Sequence, residues 1–256
     1  MLPENPNWHV TLFFLLALAI MGLGMKLTVG FLPAARSRDC SLVFWVLPSP
    51  ASLPRVQRIT TAGRVWLRFL GLVVSLIAGY WVYWRLVEAF HLRGAILGYC
   101  AVPLLILLTE AFTTVISLSW SPAGWMLPPL HRQPWRARSI GDFWGNRWNF
   151  LFSDWTRMVI FQRLRHRPFT AVVLAFVISG LLHEWVVNVP LYIVTGRNLL
   201  GTMMLYYLLQ AGGIALERNF KVQPGVRRVF AWVIVVGPVP LMINEGLMRV
   251  MHLWVE

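Results

Sequence analysis

Two short polar runs within a hydrophobic chain hold the side chains with the clearest capacity for chemistry. The first run, SIGDFWGNRWNFLFSDW at 139–155, combines aromatic rings with two asparagines. The second, ISGLLHEWVVN at 178–188, places His183 and Glu184 within an apolar segment. A neutral imidazole can act as a general base near neutral pH. An amide such as that of Asn149 can donate and accept hydrogen bonds without charge, which suits holding a carbonyl group.

His183 is a candidate functional residue because of where it falls in the chain. It lies somewhat past the middle of a membrane span that is predicted to begin near Phe169, and ionisable groups at such depth are costly. Ser179 and Gly180 precede it by one helical turn on the same face, where small residues admit another helix or a substrate. The alternative is a histidine that only hydrogen-bonds a neighbouring helix.

The first polar run is predicted to be one amphipathic helix, from Asp142 to Val159. At 3.6 residues per turn its polar residues share one stripe and its tryptophans another. The polar stripe contains Asp142, Asn146, Asn149, Ser153 and Arg157. Such a helix lies along a membrane interface and does not cross the bilayer. It is either a tryptophan-anchored interfacial helix or part of a site, since amides rather than lysines follow its polar face.

The elements that must position these runs are membrane helices. Of the 256 residues, 57% are hydrophobic and 13% charged, whereas soluble domains carry about 25% charged residues. Six segments approach the length needed to cross a bilayer: Trp8–Leu32, Val65–Phe90, Gly94–Ser119, Phe169–Thr195, Leu199–Leu216 and Val229–Leu253. The first has no basic n-region or cleavage site and is expected to be retained. We therefore expect an all-α polytopic protein with a single membrane domain, 1–256.

The net charge of +13 has a topological explanation. Lysines and arginines are concentrated in the segments Pro33–Arg64, Trp120–Pro168 and Glu217–Arg228, while the opposite side holds Arg93, Arg197 and, near the end of the last span, Arg249. The positive-inside rule places the basic segments in the cytosol and both termini on the other side. Membrane topology thus explains the charge, and no nucleic-acid partner is expected. Because arginine far outnumbers lysine, which is typical of a GC-rich bacterial coding sequence, we expect a protein of the bacterial inner membrane, or of the endoplasmic reticulum if the source is eukaryotic.

The two polar runs resemble motifs of the membrane-bound O-acyltransferase (MBOAT) superfamily. FWGNRWN at 143–149, a basic stretch ending in Pro168 and SGLLHE at 179–184 follow one another in the order typical of its wax synthase branch, the long-chain-alcohol O-fatty-acyltransferases. The resemblance extends over about 139–220 and leaves 1–119 less recognisable. It implies an MBOAT-like helical bundle with a buried reaction chamber.

The resemblance also implies an activity. It makes His183 the catalytic histidine and Asn149 its partner, in direct transfer of a fatty acyl group from acyl-CoA, a co-substrate, to a lipophilic alcohol. No cofactor or metal is expected. Residues expected to bind substrate are Asn146, Trp148, Ser179, Glu184, Arg136, Arg138 and Arg165. The three arginines either set the topology alone or also bind the phosphates of coenzyme A at the inner face.

Two alternative functions remain compatible with the sequence. One is a small transporter or channel in which Glu110, His183 and Glu245 form a polar relay, although no inverted repeat is visible. The other is a non-catalytic membrane scaffold. The acceptor alcohol, the acyl chain length and the oligomeric state are not specified by any of these patterns.

Overall fold

The computed structural model describes residues 6–30, 57–58, 63–123, 125–219 and 223–255. Most of these residues, 81%, are helical, which confirms the all-α prediction. The strands within the described ranges are two residues long each, Gln57–Arg58 and Trp125–Met126, and they pair antiparallel. The first predicted inner segment, Pro33–Arg64, lies almost entirely outside the described residues.

Eleven α-helices occur in the described part of the chain. They are α1 Pro6–Gly30, α2 Gly63–Phe90, α3 Ala95–Trp120, α4 Ile140–Asp142, α5 Phe150–Thr156, α6 Pro168–His183, α7 Val189–Thr195, α8 Thr202–Asn219, α9 Pro224–Val236, α10 Val239–Met242 and α11 Glu245–Val250. Short 3₁₀ turns lie at Ser121–Ala123 and Pro134–Arg136. Wider π-helical turns lie at Phe143–Arg147, Arg157–Phe161 and Glu184–Asn188.

Five of the described segments are long and apolar enough to cross a membrane. They are Asn7–Thr28, Gly63–Phe90, Ala95–Ser119, Pro168–Thr195 and Pro224–Met242. A helix satisfies all its own backbone hydrogen bonds, so it can cross hydrocarbon without water. Large apolar side chains such as Leu67 and Ile77 are exposed on the protein surface, as lipid contact requires. The protein is therefore a multi-pass membrane protein.

The sixth predicted span, Leu199–Leu216, differs in the structure. The segment is helical as α8, but it is not among the five that qualify by length and composition. Its polar face is directed into the protein, where Gln210 and Glu217 are buried. A helix that packs its polar face against other helices can carry such groups there because protein partners satisfy them.

Close contacts at glycines fix α8 against its neighbours. A Cβ added at Gly180 of α6 would lie 2.8 Å from Met204 Sδ and 3.1 Å from Met204 Cα, so the two backbones approach directly. A Cβ at Gly213 of α8 would lie 2.7 Å from side-chain atoms of Ile140 and Ile234. Small residues at these crossings are what allow α8 to pack between α6 and α9.

Two of the predicted inner segments contact each other. Arg228 donates to the carbonyl of Trp135 at 3.3 Å. The guanidinium of Arg218 also lies 6.0 Å from the ring centre of Phe169, which begins the span that follows the second inner segment. On the predicted outer side, Arg197 and Arg249 both pair with Glu245, at 2.6 and 2.8 Å. This grouping is what the charge asymmetry leads one to expect, while the assignment of the cytosolic face stays a prediction.

The predicted helix from Asp142 to Val159 is not continuous. It is interrupted at Trp148, which is extended, and at Asn149, which has φ 40° and ψ 71°. Asparagine tolerates this left-handed conformation better than most residues. The Asn149 side chain then caps the next helix, accepting from the backbone N–H of Phe152 at 3.2 Å. The helical period was misread because Asn149 acts as an N-cap and not as a helix-interior residue.

Candidate active site

The two polar runs line one cavity of about 380 Å³. Segments on either side of the Asn149 turn form one wall, and α6 and α8 form the other. Aromatic rings dominate the lining, with a few polar groups among them: Trp144, Trp148, Asn149, Phe152, Ser153, Thr156, Arg157, Phe161, Phe176, Ser179, His183, Tyr207 and Arg218. A mostly apolar concavity with a few convergent polar groups is the usual form of a site for a small apolar molecule.

His183 lies at the C-terminal end of α6, and both its ring nitrogens have partners. Nδ1 is 2.7 Å from the carbonyl oxygen of Ser179, and Nε2 is 2.9 Å from the hydroxyl of Tyr207. A carbonyl oxygen can only accept, so Nδ1 carries the hydrogen of the neutral ring. Nε2 therefore carries no hydrogen, and its lone pair accepts the hydrogen bond from the Tyr207 hydroxyl. The backbone of α6 thus fixes the tautomer that can act as a base at Nε2.

An aromatic wall surrounds this pair. The ring centre of Trp144 is 5.7 Å from that of Tyr207 and 5.8 Å from that of Phe176. The indole N–H of Trp144 donates to Gln210 Oε1 at 3.1 Å, and Gln210 in turn donates to the carbonyl of Ile234 at 2.7 Å. Packed rings with satisfied polar edges have little freedom to reorient. The wall is therefore a rigid boundary for whatever occupies the cavity.

Asn149 lines the same cavity. Its Oδ1 caps α5, so the oxygen end of the side chain is already engaged. Within the described residues, no hydrogen bond is formed by its Nδ2. The donor end of Asn149 is thus the part that a bound carbonyl oxygen can use.

His131 holds the Asn149 turn in place, and the sequence interpretation did not identify it. Its Nδ1 accepts from the backbone N–H of Asn149 at 3.3 Å, and its Nε2 contacts Thr109 Oγ1 at 3.0 Å. Its ring centre lies 4.3 Å from that of Trp148. Burial lowers the pKa of His131 to about 4, so the ring is neutral at physiological pH and Nδ1 can accept. No local pattern marks this residue, because its partners come from α3 and from the turn.

Glu110 forms hydrogen bonds that hold the structure together outside the cavity. One carboxylate oxygen accepts from Arg68 at 2.7 Å, and the other accepts from the backbone N–H of His131 at 2.7 Å. Glu245 is likewise paired with two arginines. Of the three residues in the alternative polar relay, only His183 lines the cavity. The relay is therefore not assembled in this structure.

Glu184 lies next to His183 but faces away from the cavity lining. Its Oε1 accepts from the backbone N–H of Met204 at 2.9 Å, and its Oε2 accepts from Asn188 Nδ2 at 2.7 Å. Met204 is in the first turn of α8, where backbone N–H groups have no helical partner. The carboxylate thus caps α8, the helix that carries Tyr207, and its negative charge suits a helix N-terminus.

The predicted substrate-binding residues divide into two groups. Trp148 and Ser179 line the cavity with His183 and Asn149. Those outside the lining are Asn146, Glu184, Arg136, Arg138 and Arg165. Asn146 is exposed and donates to Asp142 at 3.3 Å. Burial raises the pKa of Asp142, but hydrogen bonds from Arg147, Arg138 and Asn146 outweigh it and hold that pKa below its usual value.

The cationic residues of the cavity itself are Arg157 and Arg218. Arg157 pairs with Asp154 at 3.3 Å and also donates to Asn146 Oδ1 at 3.2 Å and to the carbonyl of Gly145. Arg218 is exposed beside Phe169. Sequence reasoning placed Arg157 on the polar stripe, but it did not select either arginine as a ligand for a phosphate.

Three π-helical turns border the site. Phe143–Arg147 and Arg157–Phe161 each contribute lining residues, and Glu184–Asn188 begins directly after His183. A π turn inserts one residue into a helix and is frequent at functional sites, because it re-aims the side chains around it. Of the π turns in the described ranges, two therefore line this cavity and the third directly follows its histidine.

The structure defines a class of protein: a multi-pass helical membrane protein in which a potential base, His183, and a potential carbonyl-binding donor, Asn149, line the same cavity. Comparison with known sequences shows which family the chain resembles. The sequence model described as "Membrane bound O-acyl transferase family" matches residues 127–205, a range that includes His131 and both polar runs.

The relatives found agree with the family match. The long-chain-alcohol O-fatty-acyltransferase of Simmondsia chinensis is 38% identical over 68 residues, covering 23% of this chain and 19% of that protein. Probable long-chain-alcohol O-fatty-acyltransferases 6 and 9 of Arabidopsis thaliana are 26% and 29% identical, over 64% and 48% of this chain. The chain spans 54% and 42% of those two relatives. The matches confirm the similarity to membrane-bound O-acyltransferases and to their wax synthase branch.

Proposed function

We propose that this protein is an O-acyltransferase that moves a fatty acyl group from acyl-CoA to a lipophilic alcohol. The observation that supports the proposal most is that His183, with its basic Nε2, lines the same aromatic cavity as the amide of Asn149. The family match and the names of the relatives favour the same chemistry. Transport and scaffold roles have no comparable support in the site.

The reaction proceeds without an acylated enzyme. The acceptor hydroxyl gives its proton towards His183 as its oxygen attacks the thioester carbonyl carbon. The carbon–sulfur bond then breaks, and the proton held by the imidazolium passes to the leaving thiolate, giving the ester and free coenzyme A. A positioned base of this kind typically contributes about 10²–10⁴ in rate.

Two groups stabilise the charges that develop. The Ser179 carbonyl accepts from Nδ1–H and so favours the imidazolium form of His183. Asn149 Nδ2 donates to the thioester oxygen as it gains negative charge, and one such donor is worth on the order of 3 kcal/mol in a water-poor site. The aromatic wall excludes water and protects the thioester from hydrolysis.

The charged head group of coenzyme A stays at the membrane face that carries the arginines. It cannot enter the hydrocarbon core, so the thioester reaches His183 through the cavity. Arg157 and Arg218, which line the cavity, are suited to the phosphates nearest the acyl chain. The exposed Arg136, Arg138 and Arg165 are suited to the outer part of the head group. In this proposal that face is cytosolic and both termini lie opposite.

The test is an assay of thiol release by the purified protein with a long-chain acyl-CoA and a fatty alcohol. We expect alcohol-dependent thiol release and an ester product. His183→Gln should lower turnover by at least about 10²-fold, while His166→Gln, an exposed histidine of the basic loop, should leave it unchanged. Absence of transfer to any lipophilic alcohol would overturn the proposal, and a His183→Gln variant with more than about a tenth of wild-type turnover would remove His183 from the mechanism.

A further inference from the structure

The basic nitrogen of His183, Nε2, already accepts a hydrogen bond from the protein. Its Nε2 accepts the hydroxyl of Tyr207 at 2.9 Å, since Nδ1 is committed to the Ser179 carbonyl. An alcohol that is to lose its proton to Nε2 must either displace the tyrosine or reach the nitrogen through it. The packing around the Tyr207 ring distinguishes between these two routes.

Tyr207 has little room to move aside. Its side chain is 3% exposed. Its ring centre lies 5.3 Å from that of Tyr206, 5.7 Å from that of Trp144 and 6.3 Å from that of Phe176. Its hydroxyl oxygen is also 3.9 Å from Met242 Sδ. A ring packed on several sides by other rings keeps one rotamer, because interiors are close-packed.

A phenol hydroxyl can donate and accept at the same time. While the Tyr207 O–H points to Nε2, the oxygen retains lone pairs that can accept from a second hydroxyl. Tyr207 and His183 both line the cavity, so an alcohol bound there can donate to the tyrosine oxygen. The three groups then form one hydrogen-bonded chain that ends on the imidazole.

We propose that Tyr207 is a catalytic residue that relays the proton of the acceptor alcohol to His183. The inference rests on the proposed acyltransferase function and specifies its proton path. As the alcohol oxygen bonds to the acyl carbon, its proton moves to the Tyr207 oxygen and the tyrosine proton moves to Nε2. When the carbon–sulfur bond breaks, Tyr207 protonates the thiolate and recovers a proton from Nε2. Tyrosine and histidine end as they began, and no further reactant is needed.

The relay gives the neighbouring residues His183 and Glu184 different roles. Glu184 caps the N-terminus of α8 at Met204, one turn before Tyr207. His183 and Glu184 thus both act on α8, one at the hydroxyl of Tyr207 and the other at the backbone that positions it. Tyr206 provides an internal comparison, because its hydroxyl instead donates to the carbonyl of Val235 at 3.1 Å.

The experiment compares Tyr207→Phe with Tyr206→Phe in single-turnover acyl transfer by the purified protein. Each variant loses one hydroxyl from the same helix. We expect Tyr207→Phe to lower the transfer rate about 10²-fold and Tyr206→Phe to lower it less than about threefold. In mixtures of H₂O and D₂O, the wild-type rate should show two protons in motion and the residual Tyr207→Phe rate only one.

The outcomes separate this inference from the proposed function. An inactive wild-type protein refutes the function itself. An active wild type with inactive His183→Gln but undiminished Tyr207→Phe, or a faster Tyr207→Phe, refutes the relay alone. If Tyr207→Phe does not fold, fluorinated tyrosine at position 207 keeps the hydroxyl while making it more acidic. The relay requires the transfer rate to change with that acidity, and an unchanged rate refutes it.

Discussion

His131 provides a test of how the Asn149 turn is held. His131→Phe keeps a planar ring beside Trp148 but removes the acceptor for the backbone N–H of Asn149. A fully buried N–H without a partner costs about 1–3 kcal/mol, and the Asn149 N–H is part-buried. Thr109 loses little, because its hydroxyl also bonds the carbonyl of Leu105 at 2.9 Å. We therefore expect the free energy of unfolding to fall by about 1 kcal/mol, the lower end of that range.

The same substitution should affect turnover. Two backbone bonds remain at the turn, from Phe150 to the Leu130 carbonyl and from Arg132 to the Arg147 carbonyl, so the fold should persist. A displacement of about 1 Å in a positioned group can cost about 10² in rate. The matched control is His131→Asn, whose Oδ1 can accept near the original Nδ1 position. We expect turnover to be reduced in the Phe variant and largely retained in the Asn variant.

The pH dependence of stability provides a second test of His131, namely whether its ring is buried and neutral. Burial lowers its folded-state pKa to about 4, whereas an unfolded histidine titrates near about 6.5. Between these values the unfolded chain binds the proton and the folded chain does not, so stability falls as pH decreases from about 6.5 to about 4. The loss totals about 3 kcal/mol. His131→Phe should lack this component.

The assays are thermal unfolding in detergent across this pH range and single-turnover acyl transfer at neutral pH. Parallel pH profiles for wild type and His131→Phe would show that His131 is not a buried neutral ring. Unchanged turnover and stability in His131→Phe would show that the turn does not depend on it.

Two further predictions concern the donor side of the reaction. Asn149→Asp keeps the oxygen that caps α5 but removes the amide donor, so turnover should fall about 10²–10³-fold with little change in unfolding temperature; an unchanged rate would leave Asn149 a helix cap only. Neutralising Arg136, Arg138 and Arg165 together with glutamine should weaken acyl-CoA binding and make it less dependent on salt, with a much smaller effect on turnover at saturating donor. If affinity and salt dependence both stay at wild-type values, these arginines only orient the chain.

The fold was largely predictable because membrane crossing is a local requirement. A long apolar run must be helical to satisfy its backbone, so length and hydropathy suffice to find five of the six predicted spans. The segment Leu199–Leu216 was harder to interpret. Its Gln210 and Glu217 are satisfied by partners from other helices, and those partners are invisible in the local sequence.

The site was predictable in its chemistry but not in its geometry. His183 and Asn149 were marked by type and depth, and the structure brings both to one cavity, while their roles stay predictions. Tyr207 was not marked, because its contact with His183 depends on the close approach of α6 and α8 at Gly180. His131 was missed for the same reason, since it meets Asn149 only through tertiary structure.

The π turn after His183 has a consequence for chain length. A regular α-helix over Glu184–Asn188 would need one residue fewer. Because this turn is wider, its five residues rotate the chain about as far as four residues of a regular helix would, so α6 and Val189–Thr195 keep nearly the same relative orientation. Deleting one residue there would therefore leave His183 close to Tyr207, but it would change the spacing between Glu184 and Asn188, which both contact the first turn of α8. A one-residue gap in a related chain at this point would thus indicate a change in how α8 is held and not a displaced histidine.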